Sequence, residues 1–284
     1  MDYIHWNPQI ELFSFFGYPI RWYGLLWAIG LIGAYNIVKY LCKTNKNENV
    51  KVDQLFLYSI IGIFAGARLG HCLFYDYEYF FSSPKHIIEI FIPIRFLVNG
   101  DWIYTGYAGL ASHGGVIGLI IALWYYCKHN KIKTLYVVDC IAIAAPFTAM
   151  MIRLGNLMNS EIIGRPTNVP WAFIFDRVDS VPRHPAQLYE ALFYLIVFVI
   201  GVILYRQTRL RKSLGHGFFF GYCIVTIFTF RFFIEFVKEV QVDFEHSMAL
   251  DMGQWLSIPL VLLGAFFVYK SLTYKYSTNY VENP

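Results

Sequence analysis

Charge is scarce in this sequence. Of its 284 residues, 15% are Asp, Glu, Lys or Arg, against 57% hydrophobic. A soluble domain carries about 25% charged residues, so an ordinary water-exposed globular chain is excluded. Paired cysteines are also absent. The five cysteines, at 42, 72, 127, 140 and 223, show no CxxC spacing, and most lie in or beside apolar runs. They read as small buried hydrophobes, and neither a disulfide framework nor a zinc site is expected. No basic segment precedes the first apolar run of "MDYIHWNPQIELFSFFGYPIRW", so a cleaved signal peptide is not expected. Neither G-x-S-x nor H-E-x-x-H occurs, which removes those intramembrane protease signatures. The last apolar run has no central lysine for a Schiff base, and no internal repeat is visible.

Apolar length is what the chain has. Seven runs reach, or nearly reach, the roughly 20 residues that a spanning helix needs. They are about 20–42, 55–75, 108–127, 135–152, 188–205, 218–237 and 252–269. The predicted fold is an all-α polytopic membrane protein of about seven transmembrane helices, forming one integral membrane domain over 1–284.

Basic residues give the direction. Lys39, Lys43, Lys46, Lys51, Lys128, Lys131, Lys133, Arg206, Arg209, Arg211, Lys212, Lys270 and Lys275 fall in one set of loops. Only Lys85, Arg95, Arg165, Arg177, Arg183 and Lys238 fall on the other side. Cytoplasmic loops are the Lys/Arg-rich ones. The N-terminus is therefore expected outside and the C-terminus in the cytoplasm. Within residues 76–106, "KHIIEIFIPIRFLVNG" is broken by Pro93 and is too short to span, so an external interfacial arm is expected there. In residues 164–186, "PWAFIFDRVDSVPRHP" alternates like short strands between prolines and predicts a small external head.

Several polar groups lie at membrane depth, where an ionisable side chain costs about 2.5–3.5 kcal/mol on insertion scales. Arg21 can snorkel from the outer end of the first span. Arg68, in "GIFAGARLG", has small-xxx-small spacing around it, which points to helix packing. Arg153 ends the fourth apolar run. If that helix continues, Asn156, Ser160 and Gly164 fall on its face as a polar stripe. Arg231 lies inside the sixth run with Glu235 four residues on. The two could form a structural pair, or Arg231 could face an anionic substrate. His113, in "SHGGVIG", either satisfies a neighbouring carbonyl or serves proton transfer, for which its ordinary pKa of about 6.5 suits it. "RHPAQLYE", residues 183–190, reads by itself as a helix start with interfacial anchors. These groups gather near the outer half of several spans, as a site for an anionic lipid or substrate would require.

The motifs "PIRWYG" (19–24), "GARLG" (66–70), "SHGGVIG" (112–118), "RLGNLMNSEIIGRPT" (153–167), "RHPAQLYE" (183–190), "RFFIEF" (231–236) and "MGQWLSIP" (252–259) occur in one order along the chain. In this the sequence resembles the bacterial prolipoprotein diacylglyceryl transferases, over nearly its whole length. The resemblance implies transfer of a diacylglyceryl group from phosphatidylglycerol to the thiol of a prolipoprotein's lipobox cysteine. Glycerol 1-phosphate would be released, and no metal or soluble cofactor would be used. It implies Arg153 as the phosphatidylglycerol-binding arginine, with Asn156, Glu161 and Gly164 as its companions. It implies His113 as the histidine of the H-G-G motif, Arg231 as a second essential arginine, and Tyr23 as a functionally important tyrosine. We group His113 and Arg231 as catalytic and place Glu235 with the substrate-binding set. Two local departures are Ile152 before the arginine and "GYAGLASHGG" before the histidine; neither removes a polar group.

The implied partners are phosphatidylglycerol, the prolipoprotein signal peptide and the bilayer of the bacterial inner membrane; no nucleic acid is expected. Arginine suits the phosphate, because its planar fork binds two oxygens and stays protonated. It cannot act as the base. His113 is the sequence candidate to take the thiol proton, and an electropositive site lowering the thiol pKa is the other route. The alternative reading is a multi-pass transporter with an anion-binding site near the outer face. Against it, the inner halves of the spans hold few ionisable groups.

Overall fold

A computed structural model describes residues 3–15, 18–44, 50–92, 94–97, 101–104, 109–207, 214–239 and 248–273. Pro93, the end of the expected arm at 105–106 and the basic residues Lys46, Arg209, Arg211, Lys212 and Lys275 lie outside the described residues. The helices in chain order are α1 (Trp22–Thr44), α2 (Val52–Phe74), α3 (Tyr77–Phe80), α4 (Pro84–Phe91), α5 (Ser112–His129), α6 (Thr134–Asn159), α7 (Ala186–Arg206), α8 (Phe218–Ile234) and α9 (Met252–Thr273). Five of them, α1, α2, α6, α7 and α9, are long and apolar enough to cross a membrane. The chain is thus a mostly helical, multi-pass membrane protein. It divides into two compact units, 1–45 with 135–284, and 46–134.

In the first unit, helix pairs meet at small residues. Lipid supplies no hydrophobic drive between helices, so close backbone packing and interhelical hydrogen bonds hold them together. Thr148 Oγ1 of α6 donates to the Gly30 carbonyl of α1 at 3.0 Å. A Cβ on Gly30 would lie 3.2 Å from Met151 Cβ. Gly221 of α8 faces Gly264 of α9, where a Cβ would come within 2.6 Å of the Gly264 carbonyl oxygen. Met150, Ala191 and Tyr194 form a buried cluster with Phe147, Leu154 and Ile227, which joins α6, α7 and α8. Phe193 stacks on Phe230 at 3.9 Å.

Small strands sit at the ends of these helices. β1 (Ile4–Trp6) pairs in parallel with β6 (Phe173–Phe175), which pairs antiparallel with β7 (Pro182–Arg183). Trp6 and Phe173 pack with Phe175, Leu157 and Ile163 under this sheet. Two alternating segments of the expected head are therefore strands, and a third strand comes from the N-terminus. β2 (Glu11–Phe15) and β3 (Tyr18–Arg21) form a hairpin that leads into α1.

In the second unit, α2 and α5 cross closely. Gly70 approaches Gly114 so tightly that a Cβ there would lie 2.8 Å from the Gly114 Cα. This bears out helix packing as the reading of the "GIFAGARLG" glycines. Arg68 turns from the crossing to α4, donating from Nη2 to the Glu89 carbonyl at 2.7 Å and from Nε to the Ile90 carbonyl at 3.3 Å. Glu89 is buried. Its carboxylate accepts from Tyr79 Oη at 2.8 Å and from the Phe96 amide at 2.7 Å, which ties α4 to the β4 (Ile94–Phe96) and β5 (Trp102–Tyr104) ribbon.

One buried carboxylate serves a helix end. Asp139 of α6 accepts from the amides of Gly217, at 2.7 Å, and Phe220, at 2.9 Å. It caps α8 from outside, as a local N-cap side chain would. Asp139→Ala leaves these amides without that partner and lowers stability by about 1–3 kcal/mol. A fall in the thermal unfolding midpoint in detergent, larger than that of Asp139→Asn, is the expected result.

Candidate functional site

α6 overruns its apolar run by two turns, from Arg153 to Asn159, and then stops abruptly. The Glu161 amide donates to the Asn156 carbonyl at 2.9 Å, and the Ser160 amide to the Leu157 carbonyl at 3.1 Å. This pair of bonds is a Schellman termination, which needs a left-handed residue at the position of Ser160. Ser160 has φ 56°, and so does Ile162. The expected helical continuation therefore holds for Arg153 and Asn156 and fails for Ser160 and Gly164, which lie beyond the helix. The reversal turns Glu161 back over the helix end. Its carboxylate accepts from Asn156 Nδ2 at 3.3 Å and from Asn159 Nδ2 at 3.1 Å.

Arg153 is held on two sides. Its Nε lies 3.1 Å from Glu190 Oε2, an ion pair outside hydrogen-bond geometry. Its Nη1 donates to Asn156 Oδ1 at a long 3.5 Å. The arginine side chain is 14% exposed and the glutamate 0%, so neither charge is diluted by water. Tyr194 Oη donates to Glu190 Oε1 at 3.3 Å and lies within electrostatic reach of both Arg153 and Arg231. Gln187 Nε2 donates to the Glu161 carbonyl at 2.5 Å.

Tyr23 lies on the first turn of α1 against Gly155. A Cβ at 155 would come within 2.8 Å of its ring. The glycine beside Arg153 thus makes room for the tyrosine. Gly164 has a backbone role. Its amide donates to the His184 carbonyl at 3.0 Å, and a Cβ would fall 2.5 Å from that oxygen. Residues 163–165 run between 183–184 and 237–239, with the Arg165 amide donating to the Val237 carbonyl at 2.8 Å and the Glu239 amide to the Ile163 carbonyl at 3.1 Å. Arg183 locks the same region, reaching Asp179 at 2.5 Å and Glu239 at 3.0 Å. Its hydrogen bonds hold the Asp179 carboxyl below its ordinary pKa.

Arg231 lies 3.6 Å from Glu235 Oε1 and is 35% exposed. The closer partner of Glu235 is Lys238, buried, with Nζ at 3.1 Å. The expected i,i+4 pair therefore exists, but it is loose, and Glu235 is shared. His113 is exposed on the first turn of α5 and belongs to the second unit. Within the first unit, the fold brings Tyr23, Arg153, Asn156 and Glu161 to one helix end. Glu190, Tyr194 and Lys238 were not among the expected site residues. For Glu190 and Tyr194 a signal existed, since with Gln187 they are spaced by three and four residues at a helix start.

The prolipoprotein diacylglyceryl transferase family matches this chain over residues 10–270. The chain belongs to that family. Relatives named phosphatidylglycerol–prolipoprotein diacylglyceryl transferase span the same length. The Bacteroides fragilis protein is 57% identical over 266 residues, 94% of each chain. That of Porphyromonas gingivalis is 42% identical over 288 residues, 95% of each, and that of Chloroherpeton thalassium 40% identical over 273 residues, again 95% of each. In this transferase family member, helices α1 to α8, all but the last three residues of α9 and the α6 signature fall inside the matched region.

The left-handed serine gives a direct check of the α6 termination. Ser160 Oγ is buried without a hydrogen-bond partner, so the side chain adds little that glycine would lose. Ser160→Gly should raise stability by about 0.5–1 kcal/mol through relief of the positive φ. Differential scanning calorimetry of the two purified proteins measures the shift in midpoint.

Proposed function

We propose that this chain transfers the diacylglyceryl group of phosphatidylglycerol to the lipobox cysteine of prolipoproteins, the first step of bacterial lipoprotein maturation. The thiol sulfur attacks the glycerol carbon that bears the phosphate ester. A C–S thioether bond forms, the C–O bond breaks, and glycerol 1-phosphate leaves with the bonding electrons. The thiol proton passes to a base. The observation that carries the reading is the nearly buried Arg153 beside Asn156, Glu161 and Tyr23, in a chain of this family.

Arg153 binds the phosphate through its guanidinium, with Asn156 and Glu161 fixing the helix end around it. Arg231, a third exposed and loosely paired, offsets charge that develops on the leaving phosphate. Tyr23, Gly164 and Glu235 complete the lipid-binding surround. His113 takes the thiol proton. The nucleophile is the substrate's own thiol, in keeping with the burial of all five cysteines.

The chain lies in the bacterial cytoplasmic membrane with its N-terminus outside and its C-terminus inside. We count α5 and α8 as two further spans, the third and sixth in chain order, which makes seven. Their 18 and 17 residues would extend about 26 Å at 1.5 Å per residue, close to the roughly 30 Å hydrocarbon core. The arm of residues 76–106 and the head of residues 164–186 then lie on the outer face, and residues 1–284 form one integral membrane domain.

Purified protein with phosphatidylglycerol vesicles and a lipobox peptide should yield a peptide heavier by one diacylglyceryl group, read by mass spectrometry. Absence of the adduct when both substrates bind would overturn the transfer reaction, and ion or solute flux in liposomes would point to a transporter instead. Arg153→Lys keeps the charge and loses the fork. It should lower kcat/KM by about 100-fold or more; full activity in this variant would rule out forked phosphate recognition.

A further inference from the structure

α7 carries a second polar row. Gln187, Glu190 and Tyr194 are all buried, at steps of three and four residues, and so share one helix face. Capping does not call for them, since the residue before α7, Pro185, makes no side-chain cap bond. Each meets a specific atom of the α6 site or of the row itself. Gln187 holds the Glu161 carbonyl, Glu190 meets Arg153 Nε, and Tyr194 donates to Glu190.

A guanidinium has five N–H donors in a rigid fork, and its plane must be set before two of them can address one phosphate. Glu190 lies at the Nε corner of Arg153, while the Nη edge has a long 3.5 Å contact to Asn156, and the Tyr194 hydroxyl interacts with the same guanidinium. A buried carboxylate at Nε draws that corner of the guanidinium toward α7 and leaves the Nη nitrogens for forked binding. Glu190 is itself fixed by Tyr194 and by complete burial.

We infer that Glu190 is a positioning residue for the transfer reaction. It orients Arg153 so that the Nη edge faces the phosphate of the lipid substrate, and Tyr194 orients Glu190 in turn. This rests on the diacylglyceryl transfer proposed above. Glu190 makes and breaks no bond and gives up no proton. It differs from a purely structural counter-ion in one measurable respect: it acts on turnover in folded protein.

The test uses full-length wild type, Glu190→Gln, Glu190→Ala and Tyr194→Phe, each also combined with Arg153→Lys. Turnover on phosphatidylglycerol vesicles and lipobox peptide is measured beside the thermal midpoint. In Glu190→Gln, which keeps size and an acceptor oxygen, kcat should fall about tenfold or more. KM for phosphatidylglycerol should rise as well, since Arg153 binds the phosphate before reaction. The midpoint should move by only a few degrees. Tyr194→Phe should shift kcat in the same direction by less. In the Arg153→Lys background, Glu190→Gln should lose most of its effect on kcat, because no fork remains to orient.

Wild-type turnover in Glu190→Gln overturns the inference while leaving the transfer reaction standing. So does a loss confined to the midpoint, or one fully additive with Arg153→Lys. If Glu190→Gln and Glu190→Ala do not fold, the kcat and midpoint of Tyr194→Phe decide in the same way. Absence of adduct with wild type overturns the transfer reaction itself.

Discussion

The arrangement at the C-terminal end of α6 depends on one buried ion pair, Arg153 with Glu190. Leaving either group without its partner at this burial would cost several kcal/mol. The pair therefore demands that the end of α6 meet the start of α7. Such a pair is not chiefly a source of stability, because desolvation offsets most of its attraction. What it supplies is a fixed cation in a place where water does not compete. The Met150, Ala191 and Tyr194 cluster holds the two helices at the required separation from below.

The way α6 stops follows from that demand. The helix must carry Arg153 and Asn156 past the apolar run and then turn at once, so that Glu161 can close over its end. A left-handed Ser160 makes the turn, at a cost of about 1–2 kcal/mol for a residue with a Cβ. Beyond it, residues 163–165 pass between two other backbone segments, 183–184 and 237–239. Only a glycine fits at 164, because a Cβ would meet the His184 carbonyl oxygen. The short strands and the Arg183 ion pairs anchor the same segment. A loop held along its backbone in this way can keep a carboxylate in place without help from a longer helix.

Much of the helical body was legible in the sequence, because apolar runs of membrane length leave few other folds. The extension of α6 through Arg153 and Asn156 could be read from the polar stripe. Its end could not, since Ser160 has no sequence mark of a positive φ as glycine would. The pairing of β1 with β6 was hidden by distance, with Ile4 and Phe173 partners across most of the chain. The spacing of Glu190 was visible, but not its role. A glutamate beside a helix start is an ordinary interfacial anchor, and only its zero exposure and its arginine partner separate it from one. Arg68 went the other way. Its glycine surroundings announced packing, and its contacts include backbone carbonyls of α4 and the Phe80 ring.

The charges around the site also bear on how an anionic lipid would be selected. Arg153, Arg231 and Lys238 each have a carboxylate neighbour, through Glu190 and the shared Glu235. The attraction of this end of the molecule for anions in general is thereby reduced, and a bare cationic patch is avoided. What remains for a phosphate is directional: the Nη edge of a guanidinium whose Nε is occupied, and a second guanidinium held only at 3.6 Å. A phosphodiester that fits this geometry can use the donors without displacing the buried glutamate. A carboxylate or a misplaced phosphate meets the same negative neighbours with fewer donors in line. Under the proposed transfer reaction, selection rests on geometry more than on net charge.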